Sequence, residues 1–149
     1  MKYVHTNIIA KDWRILSDFY INTFNCVPVP PERHLSGDWI DRLTALKSAE
    51  INGIHLRLPG YEEGPTLEIF EYSPTATENP QRGINRQGFG HIAFLVDSVE
   101  EILEKVIKNG GSKLGETVVN EYADIGTLTV VYAADPEGNF IEIQNWQKP

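Results

Sequence analysis

The chain repeats itself, and that narrows its fold more than any other feature. VHTNIIA near the N-terminus reads as a strand, followed by a helix from about Asp12 to Phe24 with Trp13, Leu16 and Tyr20 on one face. GHIAFLV reads the same way, and its helix from about Ser98 to Asn109 carries Val99, Ile102 and Val106. A shift of 86 residues lays His5 on His91, Trp13 on Val99, Leu16 on Ile102 and Tyr20 on Val106.

Three further strand candidates follow each helix. In the first half they lie near WIDRLTAL, INGIHLRL and TLEIFEY; in the second, near KLGETVVNE, GTLTVVYAA and FIEIQNW. The last pair agrees residue by residue, an apolar residue, Glu and Ile preceding an aromatic three positions on, so Glu68 matches Glu142. The extra length of the first half is assigned to a loop from Asn25 to Asp38, where Val-Pro-Val-Pro-Pro cannot continue a helix.

The expected fold is therefore α+β: one domain over residues 1–149, built from two βαβββ modules, 1–73 and 88–149, with a linker at 74–87. Each module covers one sheet face with its helix and leaves the other open, so two such sheets side by side enclose a trough.

Strand phase then selects the residues that line it. Val4, Thr6 and Ile8 alternate with His5, Asn7 and Ile9, while Ile92, Phe94 and Val96 leave His91, Ala93 and Leu95 opposite. Leu67 and Ile69 put Glu68 on the second face, as Ile141 and Ile143 do Glu142, after the DPEGN turn at residues 135–139. Each half thus offers an imidazole from its first strand and a carboxylate from its last.

Two imidazoles and two carboxylates suit a divalent transition metal such as Zn, Ni, Co, Fe or Mn, whereas Ca and Mg favour oxygen alone. Neutral His5 and His91 with ionised Glu68 and Glu142 balance the charge of such an ion. Positions left to water or substrate permit Lewis-acid chemistry.

Composition removes other classes. Lys and Arg total 13 against 21 Asp and Glu, a net charge of -8 that repels a phosphate backbone, so nucleic acid is not an expected partner. No apolar run reaches the ~18 residues of a membrane helix, and the N-terminus turns polar too soon for a secretion signal, so a cytoplasmic protein is expected. The single cysteine, Cys26, cannot form an internal disulfide and reads as a small packed residue.

VHTNIIAKD with SDFY, GHIAFLVDSVEE with the following KNGG, and DPEGNFIEI together resemble the vicinal oxygen chelate superfamily, which includes glyoxalase I, methylmalonyl-CoA epimerase, extradiol dioxygenases and antibiotic-resistance proteins. The resemblance spans nearly the whole chain. It implies a metal held by His5, Glu68, His91 and Glu142, a small-molecule substrate and a homodimer. It further implies lyase or isomerase chemistry in which Glu142 and Glu68 move a proton beside a carbonyl through an enediolate or enolate.

Two departures bear on substrate: no Asn-Trp-Gly tract follows Glu68, so glutathione is not indicated, and Gly90 precedes His91 where epimerases double the histidine, so coenzyme A is not indicated. The alternatives are a non-haem iron dioxygenase using His5, His91 and one glutamate, and a small-molecule binding or resistance protein without chemistry. Strand phase also places His55 and Arg57 on the trough face as substrate contacts, and Trp39, Phe70, Tyr72 and Trp146 as residues shaping the cavity.

Overall fold

In a computed structural model, which describes residues 1–76, 83–85 and 87–148, the chain divides into two compact units, Met1–Asn79 and Pro80–Pro149. The first contains β1 (His5–Ile9), α1 (Trp13–Phe24), β2 (Val27–Leu35), α2 (Asp38–Thr44), β3 (Glu50–Arg57) and β4 (Thr66–Ser73). The second contains β5 (His91–Leu95), α3 (Val99–Lys108), β6 (Ser112–Tyr122), β7 (Gly126–Ala134) and β8 (Phe140–Gln147). The linker expected at 74–87 includes residues 77–82 and 86, which lie outside the described residues.

Each unit builds one four-stranded mixed sheet of the same topology, ordered β1-β4-β3-β2 in the first and β5-β8-β7-β6 in the second. The opening strand pairs parallel with the closing one, and the remaining neighbours are antiparallel. These are two βαβββ modules, α+β throughout, the first with α2 inserted between β2 and β3. No helix among the described residues is long and apolar enough to cross a membrane.

The helices start where the sequence supplies caps. Asp12 accepts hydrogen bonds from the backbone of Arg14 and Ile15 at 3.0 and 3.1 Å, and Ser98 accepts one from Glu101 at 3.2 Å. Along α1 the apolar spacing buries Leu16 and Tyr20 completely, and the helix packs on β3 and β4. Leu56, Leu67 and Ile69 lie beneath it, all within 1% of full burial, each contributing about 1.5–3 kcal/mol. In α3 the buried residues are Val99, Leu103 and Val106, with Ile102 only half-buried.

Two sequence expectations are corrected. WIDRLTAL is not a strand but supplies most of α2, and the expected loop from Asn25 to Asp38 contains the edge strand β2. Seven residues are too few for a 3.6 period to stand out from a period of two, and Asp41 fixes α2 tertiarily by accepting from the backbone of Ser48 and Ala49, each at 2.8 Å. Prolines fit β2 because an edge strand needs partners on one side only, and Pro30 and Pro31 fall where its register with β3 breaks. The corresponding edge strand of the second unit, β6, breaks at the equivalent place: Val29 to Arg33 spans only His55 to Gly53, as Leu114 to Val118 spans only Tyr132 to Val130.

Cys26, 2% exposed, lies just beyond the left-handed Asn25 that closes α1. Burial pushes its thiol up to about 12, whereas an unfolded cysteine ionises near ~8.5. Between those values the unfolded chain releases a proton that the folded one keeps, so folding stability falls as pH rises above ~8.5. Urea titrations from pH 7.5 to 10 are expected to show this fall in wild type and less of it in Cys26→Ala. Iodoacetamide is expected to modify the native thiol at least ~100-fold more slowly than the unfolded one.

Candidate metal-binding site

In each unit the central strand that closes the repeat carries a carboxylate on the face opposite the helix. Leu67 and Ile69 face α1, so Glu68 faces away; Ile141 and Ile143 direct Glu142 likewise. Strand register decides what surrounds each carboxylate.

In the first unit Glu68 lies between Asn7 of β1 and His55 of β3. Asn7 Nδ2 donates to its Oε2 at 3.1 Å, His5 Nε2 lies 3.4 Å from the same oxygen, and His55 Nε2 lies 3.0 Å from Oε1. Glu68 is 7% exposed, and a carboxylate removed that far from water needs these partners. Burial pushes the His55 pKa down; Glu68's charge opposes that, and Arg33 and His5 reinforce it. A neutral His55 can donate from Nε2 to Glu68 while Nδ1 accepts from Thr66 Oγ1, 3.1 Å away.

In the second unit Glu142 faces Ala93 on one side and Tyr132 on the other. His91 Nε2 lies 3.3 Å from Oε2 of Glu142, and Tyr132 stands where the first unit has His55. Burial, then its hydrogen bond to Glu142, then that carboxylate's charge hold the Tyr132 pKa above the ordinary phenol range, so its hydroxyl is a donor. The His91 and Tyr132 rings meet edge-on at 5.1 Å.

Of the residues singled out by sequence, His5 thus meets Glu68 and His91 meets Glu142, while His55 joins the first pair. Arg57 shares the face of His55 through its register with Thr66 and, among the described residues, makes no ion pair. Tyr132 was missed. Its signal was available, because the short turn after Ala134 fixes Ala134 opposite Phe140 and hence Tyr132 opposite Glu142.

The donor chemistry fits a transition metal. Two ligands of one such ion, each at about 2.0–2.2 Å, stand about 3.0–3.5 Å apart, and both imidazole–carboxylate contacts fall in that range. Among the described residues, no group of three or more His, Cys, Asp or Glu side chains forms a metal cage. What the geometry supplies is one nitrogen–oxygen pair per unit, with the second carboxylate oxygen of Glu68 held by His55 in the way outer partners orient metal ligands.

A family model described as Glyoxalase/Bleomycin resistance protein/Dioxygenase superfamily matches residues 2–143. A glyoxalase family protein from Bacillus cereus has a similar structure, with TM-score 0.76 and 20% identity, covering 98% of this chain and 93% of that one. A glyoxalase family protein from Enterococcus faecalis matches with TM-score 0.57 and 19% identity over 97% of this chain and 95% of that one. A glyoxylase/bleomycin resistance protein/dioxygenase domain from Frankia sp. EAN1pec gives 0.57 and 18% over 99% and 97%. At such identities the likeness shows the fold. No protein in the curated set matches the sequence.

Proposed function

Because the chain belongs to the Glyoxalase/Bleomycin resistance protein/Dioxygenase superfamily, we propose that it is a divalent-metal-dependent lyase or isomerase of the glyoxalase type. It takes a proton from carbon beside a carbonyl of a small molecule and returns one nearby. The observation that carries this reading is the imidazole–carboxylate contact made once in each unit, His5 with Glu68 at 3.4 Å and His91 with Glu142 at 3.3 Å.

His5, Glu68, His91 and Glu142 are the residues that would hold the ion. A bound zinc, nickel, cobalt, iron or manganese ion supplies positive charge that stabilises the negative charge developing on the substrate oxygen as the proton departs.

The two carboxylates are not equivalent, and their surroundings divide the work. Glu68 has both oxygens engaged, by Asn7, His5 and His55, which suits a fixed anchor. Glu142, with a side chain 18% exposed against 9% for Glu68, meets fewer donors and is the better placed proton carrier. The Tyr132 hydroxyl orients it and can follow its change of charge. Arg57, on the same face as His55 and without an ion-pair partner among the described residues, suits a carboxylate or phosphate on the substrate.

Metal analysis tests the reading. The purified wild type is expected to bind about one divalent ion per chain, and His5→Ala and Glu142→Gln each to lose at least ~90% of it with unchanged circular dichroism. Full retention in both variants overturns the assignment. Substrate-dependent oxygen uptake by iron-loaded protein would place it among dioxygenases instead.

A further inference from the structure

The first unit contains a cavity of about 530 Å³ between α2 and the sheet face that carries Glu68. Phe70 in its wall connects it to the neighbourhood of Glu68. Phe70 follows Glu68 by two residues on that face, and its ring meets His55 edge-on at 5.7 Å. Gly53, opposite Phe70, makes this possible: a Cβ there would run into the Phe70 ring and the Ile69 carbonyl.

Most of the lining is hydrocarbon, its polar groups being the Trp39 indole, the Thr44 hydroxyl and the Tyr72 phenol. Ile40, Ile51 and Phe70 form the floor, each at most 8% exposed, while Trp39 and Leu43 stand at the rim, 52% and 72% exposed. No lining residue carries a charge, and the Thr44 hydroxyl is already spent on the Ile40 carbonyl at 2.8 Å. A charged group placed here would lose its hydration without a partner. An alkyl or aryl group would cover side chains that are otherwise wetted, and the volume is in the range of small-molecule sites.

Along the strands the face changes character in order. Arg57 and Thr66 lie at one end, His55 and Glu68 in the middle, and Ile51 and Tyr72 at the far end. We propose that this cleft is a substrate subsite, taking an uncharged alkyl or aryl end of a molecule whose oxygen donors lie at the His5–Glu68 pair. The inference rests on the metal-dependent reading above and adds a substrate class: a carbonyl compound with a bulky apolar substituent.

Acetohydroxamate and 2-naphthohydroxamate share one metal-chelating group and differ only in hydrocarbon, so zinc-loaded protein titrated with both by calorimetry tests the subsite. The naphthyl compound is expected to bind about 30-fold tighter or more and to shift the Trp39 indole N–H resonance, identified with Trp39→Phe. In Leu43→Asp the preference is expected to fall below about threefold, with metal content and acetohydroxamate affinity unchanged. An equal affinity for both compounds in wild type overturns the proposal, as does a preference that survives Leu43→Asp.

Sedimentation of both proteins supplies a further check. If wild type is a dimer that Leu43→Asp dissociates, a second copy of the chain occupies the cleft and the subsite is refuted. Should the protein bind no metal, the catalytic reading fails by itself. The non-chelating 2-naphthamide then decides the cleft alone: a Trp39 shift in wild type that Leu43→Asp abolishes supports apolar binding, and its absence refutes it.

Discussion

Glu68→Gln is expected to lower divalent-metal affinity at least ~100-fold while reducing folding stability by only about 1–3 kcal/mol. The change keeps size and shape, so little packing is lost. It replaces one acceptor oxygen by an NH2 group in a place where Asn7 points a donor and two imidazole nitrogens face the carboxylate. Oε2 receives Asn7 Nδ2 at 3.1 Å and lies 3.4 Å from His5 Nε2, and Oε1 lies 3.0 Å from His55 Nε2. With its nitrogen at the Oε2 place the amide meets the Asn7 donor, with its nitrogen at the Oε1 place it requires His55 to change tautomer so that Nε2 accepts, and in both the negative charge that balances a cation is gone. Zinc competition with a chromophoric chelator reads the first effect and urea unfolding the second. Unchanged affinity would remove Glu68 from the ligand set. A loss of stability well above ~3 kcal/mol would make it a structural keystone instead.

What could be read from sequence depended on how strongly one face of each element was buried. Leu67, Ile69, Ile141 and Ile143 are all within 1% of full burial, so their phase fixed the outward direction of Glu68 and Glu142 with no knowledge of the turns. His5 and His91 were legible for the same reason, each two residues from a position directly beside its glutamate in a parallel pair. The repeat supplied the correspondence between halves. Composition alone could not.

Elements whose identity depends on tertiary partners were not legible. β2 has mostly exposed side chains and three prolines, and it becomes a strand because β3 offers it an edge and a register break absorbs Pro30 and Pro31. In α2 the sequence balances helix and strand, and its place is decided by a small cluster in which Ile40 meets Ala49, Ile51 and Phe70. His55 was visible as a residue on the open face, but its contact with Glu68 depends on the β3–β4 register, which the long connection between them hides. Nothing within GTLTVVYAA marks Tyr132 as different from its apolar neighbours, and only counting back across the turn at 135–139 sets it opposite Glu142. Its meaning comes from facing Glu142.

Ile141→Ala is expected to do the converse of a site substitution: a stability loss of about 2–5 kcal/mol, or a melting temperature lower by roughly 5–20 °C, with metal affinity changed by less than about threefold. Ile141 is fully buried, lies opposite Ala133 and beside Ile92, and precedes Glu142 on the same strand. Truncation removes three carbons from the helix-covered face, where little can move in because Ala133 is already small and Ile143 and Val131 are themselves within 1% of full burial. The neighbouring Glu142 leaves the strand on the other face, toward His91 and Tyr132, and loses no contact. Calorimetry and zinc competition on the one variant therefore separate the two faces of β8. If metal affinity falls along with the melting temperature, the strand does not insulate its faces: the backbone beneath Glu142 yields when the core beneath it is hollowed, and the site depends on packing as much as on its own donors.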